Sequence, residues 1–115
     1  MSHVTDSRGQ VVNFFVDDVE VQSVSGTDFD PYNSGSPTAS DKARYLNTGF
    51  LVRPVTDGPV SVVTWANYKD NGDVVVDANV VVLTGCINSK WEEVRVVKVF
   101  DAGTTPTSVM IGVLA

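Results

Sequence analysis

Two valine-rich runs flank one polar turn: Pro59-Val60-Ser61-Val62-Val63-Thr64-Trp65-Ala66-Asn67-Tyr68, then Lys69-Asp70-Asn71-Gly72-Asp73, then Val74-Val75-Val76-Asp77-Ala78-Asn79-Val80-Val81-Val82-Leu83. Successive side chains of an extended chain point to opposite faces. Val60, Val62, Thr64 and Ala66 therefore share one side of the first run, with Val63 and Trp65 on the other. In the second run Val74, Val76, Ala78, Val80 and Val82 share one side, against Val75, Asp77, Asn79, Val81 and Leu83. Asn-Gly is a strong hairpin signal because both residues tolerate positive φ. The stretch predicts strands over 59–68 and 73–83, with Asp77 marking a bulge or a division of the second strand.

The same chemistry extends outward. The chain holds 36 β-branched residues (24 Val, 10 Thr, 2 Ile) against 15 of the helix formers Leu, Ala, Glu and Met. Branched side chains lose rotamer freedom in a helix and pack well on a pleated surface. Further strands are expected at 9–16, 19–22, 44–47, 50–55, 91–100 and 107–114, with Asp17-Asp18 as a tight turn, Thr48-Gly49 as another and 84–90 as a loop. Such spacing predicts an all-β chain, a single antiparallel β-sandwich or small barrel of about eight strands. Residues 23–41 lack periodicity and read as a long loop anchored by Phe29 and Tyr32.

With 115 residues and one cysteine, the chain has room for one domain and no intrachain disulfide. Its net charge of −6 argues against nucleic acid as a partner, because that affinity rests on Lys and Arg. No apolar run reaches the roughly 20 residues of a spanning helix, so no membrane segment is expected. The opening residues lack a basic and an apolar signal region, which predicts synthesis in the cytoplasm without a signal peptide. Residues 1–41 carry the entire net charge, while 42–115 are balanced. The first part reads as acidic strands plus a long loop, the second as the β-sandwich core, in one compact domain. Asp17, Asp18, Glu20, Asp28 and Asp30 are candidate attachment residues, since an acidic segment steers toward a basic surface.

Residues that could carry chemistry are few. Asp28-x-Asp30-x-x-Asn33-x-Gly35 superficially resembles a calcium loop, but Gly35 and Ala39 occupy the wrong positions, so an acidic solvated loop is expected. His3 is the only histidine, and Cys86 lacks the basic neighbours that activate a thiol. Asp17-Asp18 and Glu92-Glu93 are adjacent pairs that a strand would point apart. Lys69, Lys90, Arg95 and Lys98 are candidates for a basic patch near Trp65 or Trp91. No catalytic residue, cofactor or metal site is expected. Several strands are apolar on both faces, which suggests that a second copy covers one of them. Val74, Val76, Val80, Val82, Val109, Ile111 and Val113 are the candidate interface of a homo-oligomer, a trimer or pentamer. The alternative is a carbohydrate- or ligand-binding β module that stacks its ligand on Trp65, Trp91 or Tyr68.

The stretch Ser36-Pro37-Thr38-Ala39-Ser40-Asp41-Lys42-Ala43-Arg44-Tyr45-Leu46-Asn47-Thr48-Gly49 resembles the opening of the spike base proteins of tailed-phage and gene-transfer-agent virions. Glu93-Val94-Arg95-Val96-Val97-Lys98-Val99-Phe100-Asp101-Ala102-Gly103-Thr104-Thr105-Pro106-Thr107-Ser108-Val109 is similar to their valine-arginine strand, Ala-x-Gly-Thr-Thr turn and final apolar strand, with Pro106 in place of alanine. The resemblance spans about residues 36–115. It implies a non-enzymatic, symmetric structural protein of the virion surface, decorating or stabilising a capsid or forming a spike base. Its implied partners are itself and other virion proteins such as the major capsid protein.

Overall fold

Val60, Val62 and Val63 are fully enclosed and Ser61 is 2% exposed, so the strand they form is covered on both faces. It lies at the centre of a sheet in a computed structural model that describes residues 3–5, 11–14, 16–32 and 49–114. The strands are β1 (His3–Thr5), β2 (Val11–Phe14), β3 (Val16–Ser23), β4 (Leu51–Pro54), β5 (Val60–Thr64), β6 (Val81–Leu83), β7 (Val96–Val99) and β8 (Ser108–Leu114). Helix α1 (Trp65–Asp70) follows β5, and a 3-10 turn, Asp77–Asn79, precedes β6. The architecture is mostly β. It comprises an antiparallel β1-β2 pair and two three-stranded antiparallel sheets, in the orders β3-β8-β4 and β6-β5-β7. The described strands do not close a barrel.

The two larger sheets meet through β7. Phe50, just before β4, exchanges backbone hydrogen bonds with Val96, and Phe29 does so with Val99. The Glu92 N–H donates to the Val52 carbonyl at 3.0 Å, laying residues 91–92 beside β4. Phe29 and Phe50 pack edge to face with ring centroids 5.2 Å apart. Around them lie Val52, Val60, Val62, Val96, Val99, Val109, Ile111 and Val113. Val24 and Phe29, from the acidic first third, belong to this same core.

Three sequence expectations change here. The strand expected over 59–68 stops at Thr64, whose hydroxyl accepts the Asn67 N–H at 3.2 Å and caps α1. This local cap outweighs the extended pattern of the next four residues. The Asn71-Gly72 signal then ends a helix instead of turning a hairpin: positive φ falls on Gly72 (68°) and Asp73 (63°), and the Asp73 N–H returns to the Tyr68 carbonyl. The strand expected over 73–83 survives only as β6. Upstream of it the chain is held by polar anchors, Asp77 on Lys98 at 2.9 Å and Asn79 on the Asn67 side chain at 3.0 Å.

At the other sheet, Asp17 and Asp18 are not a turn. Both lie inside β3, where the pairing with β8 shifts register between Asp17 and Glu20. A bulge absorbs the irregularity without ending the strand. Gly112 explains how β8 is covered on its outer face: a Cβ there would strike Val16 Cγ1 and lie 3.0 Å from the Trp91 ring. The expected strand at 44–47, the Thr48 half of the Thr48-Gly49 turn and the Asn33-x-Gly35 part of the calcium-like loop fall outside the described residues.

Candidate functional site

Lys98 stands in the middle of the valine strand β7, 5% exposed. A buried ammonium needs partners, because removing a charge from water is costly. Its Nζ lies 2.9 Å from Asp77 Oδ1, 3.5 Å from Asp30 Oδ2 and 3.6 Å from Asp28 Oδ2, with the Phe100 ring centroid at 4.7 Å. Burial alone would lower the lysine's pKa. The hydrogen bond to Asp77 and the charges of Asp30, Asp77 and Asp28 outweigh it and hold the pKa above its ordinary value. The second oxygen of Asp28 accepts the Asp101 N–H at 2.9 Å. One lysine thus joins β7 to residues 28–30 and to the 3-10 turn ahead of β6.

This arrangement bears on two readings. Asp28 and Asp30, candidate attachment residues and the start of the calcium-like loop, are counter-ions of a lysine in their own chain. Lys98 is not part of a basic surface patch: it is enclosed, Lys69 pairs with Asp73 at 2.8 Å, and Lys90 is exposed. Glu20 lies in β3 opposite Ile111, and Asp17 opposite Val113. Among the described residues no group of three or more His, Cys, Asp or Glu side chains is arranged to hold a metal ion. Buried Cys86 donates its thiol to the Leu83 carbonyl at 3.3 Å. Burial, helped by the charge of Glu92 and opposed by a hydrogen bond from the Val60 backbone, pushes its pKa up to about 11.

The aromatic residues form a packed cluster. Tyr68 meets Tyr32 edge to face at 4.8 Å and Trp65 at 5.5 Å, and the Lys69 ammonium sits 5.4 Å from the centre of the Trp65 ring. Tyr32 is half-buried, and burial raises its phenol's pKa well above the ordinary 10.0 despite a hydrogen bond with the Gly49 backbone. Trp91 lies against Gly112, away from this cluster on the outer face of the other sheet.

The candidate interface residues separate into two groups. Val109 and Ile111 are fully enclosed and Val113 is 4% exposed, so these three fill the chain's own core and are not available to a second copy. Their alternation on a central strand reports this core. Val74, Val80 and Val82 are roughly half exposed and Val76 is partly buried. Val81 joins the exposed group, as do Val19 and Val21 of β3, which the sequence reading passed over. β6 is a sheet edge: it pairs with β5 on one side, and no strand among the described residues pairs with the other.

The turn at residues 101–107 has a definite task. Gly103, at φ 80°, faces Ser61 so closely that a Cβ would lie 2.6 Å from its hydroxyl. The neighbouring Thr104 hydroxyl accepts the Ser61 N–H at 2.9 Å, and the Thr105 N–H donates to Pro59 at 2.9 Å. Residues 101–107 therefore fasten the crossing from β7 of one sheet to β8 of the other. Comparisons of the chain with protein-family models, curated proteins and solved structures return no match.

Proposed function

We propose that the chain is a structural β-sandwich subunit of a tailed-phage-like particle, self-associating on the particle surface, where it decorates or stabilises the capsid or forms a spike base. The observation that carries this reading is the edge strand β6, whose Val81 and Val82 are 44% and 49% exposed beside Val80 at 45%. Edge strands of monomers are commonly protected by shortness, charge, proline or a bulge; β6 is short, with three residues, but has no charged or proline residue. A covering partner answers this, and closed symmetry among copies is its commonest form. The resemblance of residues 93–109 to virion spike base proteins supports the same reading, because that stretch builds the crossing between the sheets. The saccharide-binding alternative needs a free, flat ring face, whereas Trp65 packs with Tyr68 and Lys69, and Trp91 lies on Gly112. Light scattering of the purified full chain tests the proposal: a closed oligomer at micromolar concentration is expected, and a monomer throughout that range would overturn it.

A further inference from the structure

The Asn71-Gly72 step at the end of α1 carries a chemistry of its own. Asparagine is thermolabile, above all before glycine, which has no side chain to obstruct cyclisation. The Gly72 backbone nitrogen, once it gives up its proton, attacks Asn71 Cγ; a C–N bond forms and the side-chain nitrogen leaves as ammonia. Water then opens the succinimide at one carbonyl or the other, leaving aspartate or isoaspartate. Both residues are exposed. A Cβ placed on Gly72 would meet nothing within 4 Å, so no neighbour shields the nucleophile.

The folded turn holds this reaction off. Ring closure requires the Gly72 nitrogen to eclipse Asn71 Cβ about the Cα–C bond, but at ψ 24° it nearly eclipses Asn71's own backbone nitrogen. The side chain is drawn away from Gly72, its Nδ2 donating to the Asn67 carbonyl at 2.8 Å and to Asn67 Oδ1 at 2.9 Å. Beyond the bond that must rotate, the Gly72 N–H donates to the Lys69 carbonyl at 3.2 Å and the Asp73 N–H to that of Tyr68 at 3.0 Å. The Lys69–Asp73 ion pair, at 2.8 Å, spans the same step. Attack therefore needs the last turn of α1 to open, and helix ends open locally at low cost. We infer that Asn71-Gly72 is a modification site guarded by the C-terminal turn of α1: it converts only while that turn is open, and its isoaspartate product does not let the turn close. Either product loses the Nδ2 donor and gains a carboxylate close to two Asn67 acceptors, and isoaspartate also threads an extra methylene into the backbone. Asn67 holds Asn79 as well, so the change reaches the 3-10 turn ahead of β6.

Peptide mapping by mass spectrometry tests this on the full chain, held at mildly alkaline pH in native buffer and in guanidinium chloride. Conversion at Asn71 should be about tenfold or more slower in the native chain. Asn67→Ala removes the Oδ1 acceptor and should speed native conversion while leaving the rate in denaturant unchanged. Thr64→Val, which removes the cap at the other end of α1, should act in the same direction. Equal rates in native and denatured chains would overturn the inference, as would no conversion in denaturant or native conversion indifferent to both variants. If neither variant folds, the wild-type comparison decides the guard. Amide hydrogen exchange decides the product: the Gly72 and Asp73 amides should be protected in the unconverted chain and unprotected in purified isoaspartate protein. An isoaspartate form that keeps their protection would overturn the claim that the turn stays open.

Discussion

Replacing Lys98 with methionine keeps an unbranched side chain of similar reach and removes its charge. Removing one member of a fully buried ion pair costs about 3–5 kcal/mol, most of it from the charge left behind. Here the three carboxylates are not equally buried: the side chains of Asp77 and Asp28 are 63% and 38% exposed, whereas that of Asp30 is 13% exposed. Exposed pairs are worth about 1 kcal/mol at most, so the main loss is that of the Lys98 charge beside the largely buried Asp30 carboxylate. That places Lys98→Met at about 2–3 kcal/mol, below the fully buried limit. For a chain of this length the Tm should fall by about 8–15 °C. Asp77→Asn, although it removes the shortest contact, should cost less than about 1 kcal/mol because its carboxylate remains in water. Lys98→Met combined with Asp30→Leu should recover most of the loss, since no buried charge remains. Urea titrations followed by circular dichroism measure all three variants. A Lys98→Met protein within about 0.5 kcal/mol of wild type, or an Asp77→Asn protein as unstable as Lys98→Met, would refute the reasoning.

Three further outcomes follow from the packing and the titrating groups. Gly112→Ala forces a methyl into Val16 and to 3.0 Å from the Trp91 ring, which should cost about 1–3 kcal/mol in urea denaturation and shift Trp91 fluorescence. Thr64→Val removes the hydroxyl that accepts the Asn67 N–H and should lose about 1 kcal/mol, read by thermal melting. Cys86, Tyr32 and Lys98 all have raised pKa values, so the folded chain holds each proton more tightly than the unfolded chain does. Their contributions are complete below the ordinary values and disappear as pH rises. The urea midpoint should therefore decline above pH 9.0, with the Cys86 share lost by about pH 11; a flat midpoint across this range would contradict the assignment.

The β character was legible because valine and threonine alternation is a local property. Strand β8 was read nearly residue for residue, and Val109, Ile111 and Val113 do share one face. What failed was competition between local signals. Thr64 can continue a valine strand or cap a helix, and the cap prevails once Asn67 supplies its N–H and Asn79 braces the helix from outside. Lys98 was read as surface charge, although Val97-Lys98-Val99 puts a cation inside an apolar strand and Asp28-x-Asp30 waits far upstream. That separation of about 70 residues hides the ion cluster from any local reading, while the combination of an isolated basic residue in a valine strand and an orphan acidic pair was its one available trace.

Period-two alternation also leaves open which chain covers an apolar face. Val109 and Val82 look alike in sequence, each a valine on a short apolar strand, yet one is enclosed and the other half exposed. The difference comes from neighbours remote in sequence. β8 lies between β3 and β4, its inner face meets Phe29 and Phe50, and the missing side chain of Gly112 admits Trp91 on its outer face. β6 has one neighbour and three residues, and the anchors on Asp77 and Asn79 keep residues 74–80 from lengthening it.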